Sequence, residues 1–182
     1  MKILILVLSY KDNGIYSKFY ETQKETWDSE QIDNVKTFYF FGNSNNNQII
    51  DNDIFVDVRE NTFNCGYKTI KTFELIKNFD FDYIFRTNSS SYVDKKILVE
   101  YVKTKPKINY YSGVIGYFSG ISFASGSGYF LSKNLVNLVL EQKNTWNHDL
   151  IDDVALAKVL SNNGITPSSN ERFDVSNIEK IP

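Results

Sequence analysis

A single cysteine and a single histidine in 182 residues exclude several chemistries at the outset. Cys65 alone cannot close an internal disulfide or build a cysteine-based zinc site, which suits a reducing compartment. His148 has no second imidazole with which to share a metal, so it reads as a structural or exposed side chain before it reads as a ligand. Lysine and arginine are nowhere dense enough to form a basic arm, and the net charge of −2 gives no global pull toward nucleic acid. Long apolar runs are missing too. Met1–Leu8 is apolar but far too short to cross a bilayer, and it lacks the small-residue cleavage pattern of a signal peptide. It reads as a first buried strand, and no glycine-rich phosphate cradle follows it, which argues against a P-loop enzyme or a dinucleotide dehydrogenase.

What is present suits one domain over residues 1–182: 42% hydrophobic and 15% aromatic residues supply a sizeable core and argue against disorder. The abrupt ending at Pro182 suits one domain of a longer protein. "KILILVLSY" (Lys2–Tyr10) has the continuous apolar character of a central parallel strand. "YSKFYETQKETW" spaces Tyr16, Phe19, Tyr20 and Trp27 along one helical face, and "VKTFYFFG" (Val35–Gly42) is a second strand followed by a solvated "NSNNNQ" loop. "DIFVDV" (Asp53–Val58), a helix over Asn64–Phe79 and "YIFRT" then give β-α-β-β-α-β, the start of an α/β sheet. Further on, the pattern predicts a helix around "DKKILVEYVKTK" closed by Pro106, strands in "NYYSGVIGYF" and "FASGSGYFLS", helices in "KNLVNLVLEQ" and "LIDDVALAKVLSNNG", and an irregular or edge-strand tail "RFDVSNIEKIP". The class is α/β, with a mostly parallel central sheet flanked by helices.

Ligands of open α/β sheets collect at the carboxyl ends of the strands. There the sequence places Ser9, Tyr10, Lys11, Asp57, Arg86, Asn88, Ser89 and Ser90, a mix suited to a ribose, a base and a diphosphate. A second candidate is Asp152 with Asp153. Acids at a helix start are explained by the helix dipole alone, or else one of them is a general base that takes a proton from an attacking hydroxyl. Gly126, Ser127 and Gly128 form a third candidate. A Gly-x-Gly in a strand means a bulge, or a close approach of backbone to a ligand that only glycine permits.

In this order the segments resemble the β-1,3-galactosyltransferase and fringe-like glycosyltransferases, which have the GT-A fold. "QKETWDSE" is similar to the family's Arg-x-Thr-Trp segment, with Lys24 in place of the arginine. Asp57, Glu60, Asn64 and Lys68 keep the spacing of its Asp-Phe-x-Asp-x-Tyr-x-Asn-Leu-Thr-Leu-Lys stretch. "FASGSGYFLSKNLV" resembles its Cys-Ser-Gly-Gly-Gly-Tyr-x-Leu-Ser segment, and "IDDVALAKVLSNNGI" its Glu-Asp-Val segment and following helix. "FDYIFRTNSSSYVD" matches Asp-Tyr-x-x-Lys-Thr-Asp-Asp-Asp-x-Phe-Val on both flanks, but Asn88, Ser89 and Ser90 stand where the family has three acids that hold a divalent cation, usually manganese.

The resemblance implies an inverting transfer of a sugar from a nucleotide sugar, a UDP-sugar above all, to a hydroxyl of a glycan or glycoside. Asp153 would be the base, with Asp152 orienting it or touching the acceptor, and Trp146 and His148 would line the acceptor side with Gly126, Ser127 and Gly128. Neutral amide and hydroxyl oxygens hold a hard cation far more weakly than carboxylates, so no cofactor is expected and manganese is disfavoured. Arg86 and Lys68 are then the expected partners of the diphosphate. The other reading is a catalytically silent relative that binds a nucleotide or a glycan. Without the membrane anchor usual in Golgi-resident members, a cytoplasmic setting, bacterial or viral, is expected.

Overall fold

A computed structural model describes residues 1–11 and 14–171. The strands are β1 (Ile3–Leu8), β2 (Val35–Phe41), β3 (Gln48–Ile50), β4 (Asp53–Phe55), β5 (Tyr83–Asn88), β6 (Tyr111–Phe118), β7 (Ile121–Ser132) and β8 (Ser168–Ser169). The helices are α1 (Ile15–Glu25), α2 (Cys65–Ile76), α3 (Lys95–Val102), α4 (Lys133–Glu141) and α5 (Asp152–Ser161), with 3₁₀ turns at Thr62–Asn64 and Lys143–Thr145. One mixed sheet runs β3-β4-β2-β1-β5-β7-β6-β8. Its β4-β2-β1-β5 half is parallel, while β3, β7 and β6 each meet a neighbour antiparallel. The result is a Rossmann-like α/β fold. The predicted tail "RFDVSNIEKIP" lies outside the described residues.

β1 is apolar at every position because both faces of the sheet are covered. Leu4 and Leu6 join Phe38, Phe40 and Ile84 under α2, α4 and α5, whereas Ile3, Ile5 and Val7 join Tyr39, Phe41 and Tyr83 under Trp27 and α3. The chain leaves β1 for β2 on one side and returns with β5 on the other, which opens a crevice above the carboxyl ends of β1 and β5.

Three departures from the sequence pattern have physical reasons. The end of the polar "NSNNNQ" run contributes to β3, whose Gln48–Ile50 pairs with β4, itself only Asp53–Phe55. Short edge pairs of this kind carry little sequence signal. β6 and β7 form one hairpin whose turn residues Ser119 and Gly120 both have positive φ, 48° and 79°, matching the twist of the flanking strands. On α1 the expected aromatic stripe faces inward only in part, through Tyr20, which packs edge-on against Tyr39 and Phe41. Tyr16 is exposed and packs edge-on with Tyr10 and Phe19, Trp27 is buried beyond the helix end, and the buried residue of the helix is Gln23.

Candidate functional site

Arg86 lies on β5, between the parallel β1 and the antiparallel β7, and is 1% exposed. A buried guanidinium needs acceptors for its donors. Nη2 donates to Asp152 Oδ2 at 2.6 Å, and Nη1 donates to Asn88 Oδ1 at 3.0 Å and to the Gly126 carbonyl. Burial opposes the guanidinium charge, but Asp152, Tyr129 and Asp153 together hold its pKa above the ordinary value.

The Gly126 peptide is gripped from the other end by Asp153, whose Oδ2 accepts its N–H at 2.8 Å. Asp153 Oδ1 accepts the Val154 N–H at 2.9 Å, so each carboxylate oxygen is oriented by one backbone amide at the first turn of α5. The carboxyl is 8% exposed, and its pKa is raised, chiefly by burial, with the Gly126 amide working against the rise. The adjacent acids therefore face different ways. Asp152 holds Arg86 and Asp153 holds the bulge.

The glycine reading resolves in the same place. Between the pairs Gly113↔Tyr129 and Ile115↔Ala124, Ser125–Gly128 of β7 stand opposite Val114 alone, a bulge at the rim. A Cβ on Gly126 would collide with Arg86 Nη1 and lie 3.3 Å from Asp153 Oδ2. The close approach that requires glycine is thus made by two side chains of the chain itself. Thr87 Oγ1 and Ser91 Oγ donate to the Ser127 carbonyl at 2.7 and 3.2 Å and tie the bulge to the end of β5.

The turn after β5 is pinned from beneath. Gln23 Nε2 donates to the carbonyls of Ser89 at 2.8 Å and Ser91 at 2.7 Å, with a longer 3.4 Å contact to that of Asn88. Ser89 is buried and Ser90 is exposed at the tip. Gln23 was legible only as a polar residue inside an otherwise aromatic helical face. Gln23→Met keeps the length of the side chain and removes its donor. It is expected to lower unfolding free energy by about 1–3 kcal/mol, the cost of a buried acceptor left unmade, and to speed amide exchange across residues 88–91. Urea unfolding and hydrogen exchange measure both.

Lys68 belongs to a second buried pair. Its ammonium is 1% exposed, bonds Glu60 Oε1 and donates to the Ser9 carbonyl at 2.8 Å; burial depresses its pKa, and Glu60 opposes that. Glu60 Oε2 also accepts the Gly42 N–H. The expected diphosphate partners Arg86 and Lys68 are therefore both engaged by internal carboxylates, and the group Arg86, Lys68, Glu60, Asp152 and Asp153 carries more acid than base.

Lys11 lies at the surface. Its ammonium sits 4.7 Å from the Phe41 ring centre and 4.8 Å from that of Phe55, and 3.5 Å from Asp53 Oδ2. It lines a cavity of about 300 Å³ at the ends of β2 and β4 with Gly42, Asn43, Gln48, Phe55 and Glu60. Tyr10 packs on Tyr16 beside it, and Asp57 is exposed in the bend after β4, its amide donating to Asn47 Oδ1 at 2.8 Å. Ser9 ends β1 buried, its Oγ without a partner.

Trp146 is 5% exposed and belongs to the core. His148 stacks flat on Tyr67 at the start of α2, a residue the sequence reading passed over.

Does a divalent cation fit the turn after β5? Asn88 Oδ1 is taken by Arg86, the carbonyls of Ser89 and Ser91 by Gln23, and a guanidinium stands behind them. The ligand set is neutral and already engaged, so these residues do not fit a manganese ion. Among the described residues no group of three or more His, Cys, Asp or Glu side chains is placed to hold a metal, and no helix is long and apolar enough to cross a membrane. No family model matches the chain, and no curated protein matches its sequence significantly.

Proposed function

We propose that this is a GT-A-like domain that transfers a sugar from a nucleotide sugar to an acceptor hydroxyl with inversion, Asp153 serving as the base. The observation that carries the reading is Asp153 itself: a buried carboxylate, oriented by the Gly126 and Val154 amides, beside the bulge at the carboxyl rim of the sheet. Burial raises its proton affinity, which suits a group that must take a proton from a hydroxyl. In a single displacement the acceptor oxygen bonds to the anomeric carbon as its proton passes to Asp153 and the diphosphate leaves with the bonding pair. The cavity beside Lys11, with its aromatic wall, suits the base and ribose of the donor. Lys11 is a cation placed to follow the diphosphate, since among the described residues its ion-pair partner, Asp53, is 3.5 Å away and its side chain is half exposed. Arg86 and Lys68 then act as positioning residues that hold Asp152, Gly126, Glu60 and Ser9 in place.

One observation favours the second reading, a domain that binds nucleotide or glycan without turnover. Arg86 and Lys68, the buried cations of the rim, are neutralised internally, so a diphosphate meets little uncompensated positive charge. Calorimetric titration with UDP, followed by an assay of UDP-sugar cleavage with candidate acceptors, separates the two. Transfer is expected to persist in a chelator and to gain less than about twofold from manganese, because the turn offers no carboxylate to hold the ion. Activity that vanishes with chelator and returns with manganese refutes the metal-independent site; UDP binding without any cleavage leaves the silent domain.

A further inference from the structure

We propose that Tyr67 and His148 form a stacking platform for an uncharged pyranose ring beside the Asp153 site. That the ring is the acceptor rests on the transfer reading; that a ring binds there does not.

The two rings lie parallel, 2° apart in plane with centres 3.4 Å apart. Tyr67 remains 45% exposed in spite of this contact. Phe63, one turn before it, is 84% exposed, and Ile151, immediately before Asp152, is 62% exposed. These side chains stand at or just before the starts of α2 and α5, and none of them belongs to either core cluster. The platform is also fixed from below. A Cβ on Gly66 would lie 2.7 Å from Trp146 Nε1 and 3.4 Å from His148 Nδ1, so the helix can approach this segment only because residue 66 is glycine. Trp146, the layer beneath, is buried.

The chemistry of the surface selects the ligand. A pyranose offers a face of C–H groups to an aromatic plane and turns its hydroxyls outward to polar groups at the edge. Here the edge carries Asn147 and Asp149, whose N–H donates to Asn147 Oδ1 at 2.9 Å. Burial lowers the His148 pKa against the pull of Asp149, so the imidazole is uncharged at neutral pH and presents no cation to a phosphate. The platform adjoins the candidate site through Cys65, next to Gly66, which lies within electrostatic reach of Asp152, Lys68 and Arg86.

Because His148 is the only histidine, its imidazole carbon-bound protons give one assignable set of NMR signals in the whole chain. The probes are the methyl β-pyranosides of galactose, glucose and N-acetylglucosamine, with uridine as a comparator. At least one pyranoside is expected to move the imidazole signals saturably. Tyr67→Ala should weaken that binding roughly five- to tenfold, and Tyr67→Phe, which keeps the face, should restore it. The proposal is overturned if no pyranoside moves the signals at high millimolar concentration, if uridine alone does, or if Tyr67→Ala binds as tightly as the parent. Tyr67-dependent pyranoside binding without any sugar transfer upholds the platform and removes the transferase reading. Transfer with an unchanged acceptor KM in Tyr67→Ala upholds the transferase reading and removes the platform's role as the acceptor site.

Discussion

Asp153→Asn is expected to lower transfer to an acceptor hydroxyl by about 10²- to 10⁴-fold, the range a positioned general base supplies, while the chain stays folded. Asparagine can still accept the Gly126 N–H through its amide oxygen, so the grip on the β7 bulge survives in part. What is lost is the proton acceptor. The loss should fall on kcat, with UDP affinity by calorimetry unchanged. In the parent the acid limb of the rate profile should bend at a pH above the ordinary aspartate value, because burial raises the Asp153 pKa and the base works only when deprotonated. Stability has the opposite sign. The folded state holds this proton more tightly than the unfolded chain, so the contribution of Asp153 is greatest below the unfolded pKa and declines as the pH rises through the folded one. Asp153→Asn should flatten both dependences. Full turnover in the variant takes Asp153 out of the reaction.

The largest loss of stability is expected from Arg86→Met. It removes the guanidinium from a fully buried set and leaves Asp152, with a side chain only 12% exposed, without its cation. Breaking one member of a buried pair costs about 3–5 kcal/mol. In a chain of this size that lowers the thermal midpoint by about 6–20 °C. The Gly126 carbonyl and Asn88 Oδ1 lose their donor in the same step, so the rim should loosen along with the fold. If the penalty comes from the stranded charge, Arg86→Met with Asp152→Leu should recover much of it, since an apolar pair of similar volume often replaces a buried ion pair at little cost. A double variant no more stable than Arg86→Met assigns the loss to the Gly126 and Asn88 contacts. Scanning calorimetry of the single and double variants decides between these.

Most of the fold was legible because most of it is periodic. β1 and β2 read as continuous apolar strands, and α2 and α4 show the spacing of one buried face. β3 and β8 were invisible, because pairs of two or three residues are made by tertiary proximity and carry no period. The candidate site divides the same way. Asp153, Arg86, Asn88 and Gly126 stood out as residue types placed near strand and helix ends, and the fold brings them into one hydrogen-bonded group. Gln23 and Tyr67 did not stand out. One belongs to a helix read as an aromatic stripe and the other gains meaning only against His148.

By itself the sequence determined the α/β class, the order of the principal elements and the uncharged run Asn88, Ser89 and Ser90 after an apolar strand, all of them local properties of composition and spacing. Only the tertiary structure decided which charges meet. Arg86 and Asp152 are 66 residues apart in the chain, and nothing local marks them as partners. Burial makes that pairing obligatory, because an unpaired guanidinium or carboxylate at this depth is too costly to keep. The same condition turned two cations expected to face a diphosphate into the inner frame of the rim, while Lys11 stays half exposed at its edge.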